Sequence, residues 1–337
     1  MDIDYKLYDI QIIIAGAYDI KPIISVQKFN LTFSKFTTQE YHFLVKTSVD
    51  IFFLKKYQLS DLKRILCEIS AINRFKKKLR IPKIILTKEK QNYVITNDSI
   101  FVLYEYINAS NLKDTNEETQ SFFEVLCDIE SKLIKSNSDN KKFYDFKSHV
   151  SKFESEAIEL LNILKTDKRI HAKRDIKYLK FLLKEVEEIK SEILNLKIVM
   201  NFIHGDLIMQ NVVRDTNRTL WVLDWEKSME YMTSVDILKS ITFTLFDPTK
   251  ENMNLDKDVF TLWSKYCFQK IPLSREEISN AFNLYYFHFI TSISFLRKLY
   301  IEKQNLNEKM LGEDFLICKW FKNNKKEMQL NLNKILS

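Results

Sequence analysis

The chain has 337 residues, enough for one large domain or two closely joined lobes. Hydrophobic residues make up 45% and charged residues 29%, the balance of a soluble globular protein rather than a fibrous or disordered one. The net charge of +7 is confined to the first third, where residues 1–103 carry 17 Lys/Arg against 10 Asp/Glu and the remainder carries 35 against 35.

Part of that excess is the run Arg74–Arg80. It reads as a solvated helix end and not as a nucleic-acid patch, because no aromatic-interleaved binding motif accompanies it. Cys67, Cys127, Cys267 and Cys318 are far apart and match no metal spacing, so they read as buried thiols in a reducing compartment. Asp2 and Asp4 stand where a signal peptide needs positive charge. The expectation is a cytoplasmic protein.

In chain order, the first hundred residues look strand-rich. "ISVQKFNL" (24–31), "EYHFLVK" (40–46) and "IFFLKKY" (51–57) are dense in β-branched and aromatic residues, and Thr47–Asp50 is a hairpin-length connection. Ile65, Ile69, Ile72 and Phe75 then mark one face of a helix beginning near Ser60, with Ser60–Asp61 as its cap and Pro82 as its stop. "KIILT" (83–87) and "SIFVLYEYI" (99–107) restore the strand pattern.

After about residue 110 the chain turns helical. One stripe runs Phe123, Leu126, Ile129, Leu133; a second Phe146, Val150, Phe153, Ala157, Leu160; a third Ile176, Leu179, Leu183, Val186, Ile193. The polar run 135–142 between the first two reads as a mobile loop. Two short strands interrupt the helices: "IVMNFI" (198–203), and "TLWVLDW" (219–225) after an Asp215–Asn217 turn. Residues 278–296 contain no acidic or basic residue. Polar residues break that stretch, however, and Phe282, Tyr286, Phe289, Ile293 and Leu296 recur at three- and four-residue steps, as in a helix on a protein core and not a membrane span. The plan is α+β: a small β-rich lobe over 1–103, a connector at 104–108, and a helical lobe over 109–337.

Chemistry concentrates in "IHGDLIMQNVV" and "LWVLDWE". His204-Gly205-Asp206, then Asn211, then Asp224-Trp225-Glu226 thirteen residues after the asparagine, supply three carboxylates and an amide on two adjoining loops. Phosphoryl transfer needs a carboxylate at the attacking hydroxyl and oxygen ligands that hold magnesium against nucleotide phosphates. The order H-x-D-x-x-x-x-N, then an aspartate ending a hydrophobic strand, is similar to the catalytic and metal loops of protein kinases.

These residues resemble the aminoglycoside phosphotransferase/choline kinase family, with its H-G-D-x-x-x-x-N and D-x-[DE] signatures. "FLKKY", "VLYEYI" and the P-x-I strand near 82 give it the flavour of the bacterial spore-coat-S-like branch. The resemblance implies a bilobal protein-kinase-like fold and ATP- (or GTP-) and Mg2+-dependent phosphorylation of a hydroxyl on a small acceptor. An antibiotic is the leading acceptor by family frequency. A choline-, homoserine- or sugar-like metabolite is the alternative, as is a non-catalytic coat or scaffold role. No nucleic-acid or membrane partner is implied, and the expected state is a monomer or homodimer.

Carried over by position, Asp206 is the catalytic base, Asn211 and Asp224 ligate magnesium, and Glu226 serves a second metal or the substrate. His204 braces the loop, and Gly205 gives backbone freedom beside the base. Lys55 holds the nucleotide phosphates and Glu68 holds Lys55. Lys56 is the rival, since alternation along a strand turns only one of the two lysines to the cleft. Glu105 carbonyl and Ile107 N–H meet adenine. The segment 31–38 lacks the glycine usual in a phosphate-covering loop, which leaves Ser34, with Thr37 and Thr38, to offer hydroxyls or N–H groups. Asp236 either caps the helix "DILKSITF" or anchors the catalytic loop.

Overall fold

The computed structural model describes residues 7–29, 41–113, 115–136, 141–169, 171–245, 255–303 and 309–334. Helix α1 (Leu7–Ala17) comes first, then strands β1 (Ile23–Lys28), β2 (Tyr41–Thr47) and β3 (Ile51–Gln58), and helix α2 (Leu62–Phe75). Strands β4 (Val94–Ile95), β5 (Ser99–Glu105) and β6 (Ala109–Asn111) precede helix α3 (Asn116–Lys135). After β7 (Lys142–Phe143) come the long helices α4 (Phe146–Thr166) and α5 (Ala172–Ile193). Strands β8 (Val199–Ile203), β9 (Val212–Asp215), β10 (Leu220–Val222) and β11 (Met229–Tyr231) bring the chain to α6 (Thr233–Leu245). It ends in α7 (Lys257–Lys270), α8 (Arg275–Ser279), α9 (Ala281–Ile290), α10 (Ser294–Tyr300) and α11 (Lys309–Asn333). A sheet-rich N-terminal region thus precedes a helical one, as the sequence order predicts.

Two compact units result, one of Met1–Val125 with His204–Met229 and one of Leu126–Ile203 with Glu230–Ser337. The first unit carries an antiparallel five-stranded sheet of order β1-β2-β3-β5-β4 and a three-stranded sheet of order β10-β9-β6. The β2–β3 hairpin closes through Thr47, whose side chain accepts from the N–H groups of Val49 and Asp50. Ile10 and Ile14 of α1, and Tyr18 directly after it, are buried with Val26, Phe43, Val45, Leu54, Phe101 and Leu103 of the large sheet. Helix α1 was not foreseen in the strand-rich reading of this region.

Three expectations are corrected here. Asp61 holds the N-cap position of α2 but its side chain does not cap it: residues 59–61 form a single 3-10 turn, and the Asp61 carboxylate accepts instead from the Gln58 N–H at 3.3 Å. "KIILT" does not form a full strand; it borders β5 through Ile85 N–H to Leu103 O (2.8 Å) and Glu105 N–H to Lys83 O (2.9 Å). Cys67 is half-buried, whereas the other three thiols are buried, and none of the four is in a disulfide.

In the second unit α4, α5 and α9 present their apolar stripes to a common core. The face of α5 differs from the predicted stripe. Ile176 and Leu183 are half-buried, while Asp175 and Glu185 are buried. Each carboxylate has a partner from far along the chain: Tyr300 donates to Asp175 at 2.5 Å and Tyr286 to Glu185 at 2.6 Å. The uncharged stretch 278–296 is not one helix: it takes in the end of α8, all of α9 and the start of α10, with the second break at 291–293, where Thr291 Oγ1 donates back to the Phe287 carbonyl at 2.8 Å. Among the described residues no helix is long and apolar enough to cross a membrane. Residues 137–140 of the polar run lie outside the described residues.

Candidate active site

Strand alternation decides which lysine meets the acids. In β3, Lys55 and Tyr57 share one face, and Lys56 shares the other with Leu54. Lys55 Nζ donates to Glu68 Oε1 of α2 at 3.2 Å and to Asp224 Oδ1 at 3.1 Å. The Tyr57 hydroxyl takes the second oxygen of Glu68 at 2.8 Å. The rings of Tyr57 and Tyr104 stand 5.9 and 5.7 Å from the Lys55 ammonium. Burial works against the Lys55 charge, but Glu68 and Asp224 outweigh it and hold its pKa well above the ordinary lysine value. Burial would raise the Asp224 carboxyl, yet Lys55 brings it below the usual range. His42, half-buried and near Lys55, is pushed down to about 4 by burial and by the Lys55 charge, and is neutral at physiological pH.

The two motif loops are tied to each other. His204 is fully buried, and its Nδ1 accepts the Asp206 N–H at 3.3 Å. Nε2 therefore carries the proton and donates to the Leu223 carbonyl at 3.0 Å. This histidine bridges the loops through both nitrogens and packs against Trp225 in a tilted pair, ring centroids 4.5 Å apart. Asn211 donates from Nδ2 to the Asp206 carbonyl at 2.8 Å, and its own carbonyl accepts the Leu223 N–H at 2.9 Å. Gly205 has φ +80°, and a Cβ there would lie 2.2 Å from the Lys227 carbonyl oxygen. Only glycine suits that position. Asp224 adopts the left-handed conformation at φ 62°, ψ 63°, which directs the carboxylate ending the hydrophobic strand toward Lys55.

Two further cations complete the cluster. Arg64 of α2 donates to Glu226 Oε1 at 3.4 Å, and Lys227 donates to Asp206 Oδ2 at 2.8 Å. Burial lowers the Lys227 pKa, but Asp206 reverses the sign and raises it above the ordinary value. Tyr57, Arg64 and Lys227 were missed in the sequence. Each left a signal: Tyr57 lies two positions beyond Lys55 on its strand face, Arg64 four before Glu68 on its helix face, and Lys227 directly after the D-x-E motif.

Glu105 ends β5, where its carboxylate accepts the Lys83 N–H at 2.8 Å, and Ile107 follows in the irregular segment after it. Ser34 lies outside the described residues. Asp236 belongs to the second unit. It is buried inside α6, which begins at Thr233, so it does not cap that helix.

Among the described residues no group of three or more His, Cys, Asp or Glu is arranged to hold a metal. Magnesium does not require one, since it takes one or two carboxylates plus water and phosphate oxygens. Asp224 offers a carboxylate on the Lys55 side. Asn211, with its nitrogen committed to the Asp206 carbonyl, presents Oδ1. This all-oxygen pair suits that hard cation.

No protein-family model matches the sequence, and no curated protein matches it. Solved structures do. The chain is similar to the choline kinase LicA from Streptococcus pneumoniae at 16% identity, over 93% of this chain and 94% of that one, with TM-score 0.54. It is similar to the amicoumacin kinase hAmiN at 14% identity, over 96% and 93%, with TM-score 0.61. Spectinomycin phosphotransferase APH(9)-Ia is 14% identical over 98% and 99%, with TM-score 0.58. The fold is therefore protein-kinase-like, of the kind shared by choline kinases and antibiotic phosphotransferases.

Proposed function

We propose that this protein is an ATP- or GTP-dependent small-molecule kinase that transfers the γ-phosphate to a hydroxyl of a small acceptor. The observation that carries the reading is the joining of Lys55, Glu68 and Asp224 by hydrogen bonds, with Asp206 and Asn211 on the loop bonded to that of Asp224, within one unit of a kinase-like fold. Lys55, held by Glu68, contacts the nucleotide phosphates. Asp224 and Asn211 hold magnesium, which supplies charge neutralisation to those phosphates, and Glu226, already engaged by Arg64, is the more dispensable ligand. The Glu105 carbonyl and Ile107 N–H, in a hinge at 104–108, receive the nucleobase.

In the transfer step the acceptor O–H gives its proton to Asp206, its oxygen bonds to Pγ, and the bond from Pγ to the bridging oxygen breaks, releasing nucleoside diphosphate. An antibiotic is our leading acceptor, supported by similar structures named as spectinomycin and amicoumacin kinases; a choline-like metabolite is second, supported by LicA. We place the protein in the cytoplasm, where the nucleotide is abundant. Nucleotide consumption with ribosome-targeting antibiotics and with choline, in wild type and Asp206→Asn, tests the reading. One acceptor should accelerate consumption in wild type, and the variant should fold normally yet turn over slower by roughly 10²-fold or more. Near-normal kcat in the folded variant removes Asp206 from this role.

A further inference from the structure

Lys227 has no part in the roles assigned above, yet its ammonium lies 2.8 Å from Asp206 Oδ2. Its main chain is fixed there. The carbonyl of Lys227 fills the space that a Cβ on Gly205 would need, so the residue before the base and the lysine backbone are pressed together. Lys227 also closes the 3-10 turn that begins at Trp225, directly after Asp224. The glycine of the first motif thus serves to bring a lysine of the second loop to the aspartate.

The side chain itself has room to move. It is 51% exposed, against 11% for Lys55, whose charge is taken by two buried or partly buried carboxylates. The electrostatics call for a cation at this point. Asp206 is an anion that must work beside a phosphoryl group carrying negative oxygens, and the two repel each other. A lysine at hydrogen-bond distance from the base offsets that repulsion without a change of fold.

We propose, resting on the phosphotransfer reading, that Lys227 is a catalytic residue whose ammonium binds the transferring phosphoryl group. It stays protonated throughout. As the bond from Pγ to the leaving oxygen lengthens, charge spreads over the equatorial oxygens, and the N–H donation from Lys227 strengthens there. Before nucleotide arrives, Asp206 holds the ammonium in place.

Calorimetry with MgADP alone, and with MgADP plus aluminium fluoride as a mimic of the transferring group, tests this on wild type, Lys227→Met, Lys227→Arg and Asp206→Asn. Wild type should bind MgADP, and more tightly with fluoride. Lys227→Met should keep its MgADP affinity within about threefold and lose most of the fluoride enhancement, while Lys227→Arg recovers part of it; kcat should fall by about 10²-fold in Lys227→Met, with the KM for MgATP little changed. Asp206→Asn should retain MgADP binding. If Lys227→Met keeps the full enhancement, or loses MgADP and fluoride binding in equal measure, the inference is overturned while the kinase reading stands. If wild type binds no MgADP, both fall together.

Discussion

Both units bury acids, and both pair some of them with cations, Asp175 with Arg174 and Glu185 with Lys322 in the second, but one group of acids in the second unit is neutralised differently. In the first, Glu68 and Asp224 are met by Lys55, Glu226 by Arg64, and Asp206 by Lys227. In the second, Glu130, Asp236 and Glu277 are buried on α3, α6 and α8. For Glu130 and Glu277 the answer is a proton. Burial, followed by the charge and hydrogen bond of Asp236, holds Glu130 well above the carboxylate range. Burial pushes Glu277 up to about 7, against the Ser234 N–H that donates to it at 2.8 Å. A carboxyl that only needs to be stored in a core is cheapest protonated. Fixed charges of both signs, kept ionised side by side, suit a site that must receive phosphates and a metal. Predictions about each cluster should therefore differ in kind.

Among substitutions on β3, α2 and α8, the largest effect is expected at Lys55. Lys55→Ala should raise the KM for MgATP and lower kcat, together by about 10²-fold in kcat/KM, because the cation proposed to meet the phosphates is gone. Glu68→Ala should act in the same direction more mildly. The double variant should be little worse than Lys55→Ala alone, since Glu68 acts through the lysine; additive losses in that cycle would assign Glu68 a separate role.

Glu277 should show up in stability against pH and not in catalysis. Its folded pKa, about 7, is raised above the ordinary 4.5. The carboxyl thus contributes most below about pH 4.5, where it is protonated in both states, and that contribution is lost as pH rises through about 7. Relative to Glu277→Gln, wild type should lose roughly 3 kcal/mol between those limits, measured by urea unfolding. A pH-independent difference would mean that Glu277 is stored as an anion. The smallest effect is reserved for Lys56→Ala. Its side chain faces the side of the sheet occupied by Leu54, so the KM for MgATP should stay within about twofold. A crippled Lys56→Ala enzyme would shift the phosphate-binding role by one residue.

The contrast also separates what the sequence discloses from what it hides. The Lys55–Glu68 contact is legible because a strand position and a helix position on known faces define it locally. The loop residues His204, Asp206, Asn211 and Asp224 are legible because their spacing is set by two short connected turns. The buried acids of α5 are not. Asp175 and Glu185 look like outward-facing charges until Tyr300 and Tyr286, more than a hundred residues away, arrive to bond them. Helix α1 was hidden by its composition, since Leu7–Ala17 is apolar and β-branched enough to pass for strand. Only the four-residue step from Ile10 to Ile14 to Tyr18, now buried against the sheet, marks it as helix. Lys227 was hidden because its meaning depends on how closely Gly205 lets a second loop approach.

The central claim is that the charged cluster of the first unit exists to hold a magnesium nucleotide. Calorimetric titration of ATP, with and without magnesium, into wild type and Asp224→Ala tests it most directly. Wild type should bind ATP strongly only when magnesium is present, and Asp224→Ala should lose that magnesium-dependent increment, because the proposed function makes this carboxylate the principal protein ligand. Magnesium-dependent affinity in a folded Asp224→Ala protein equal to that of wild type would contradict the account.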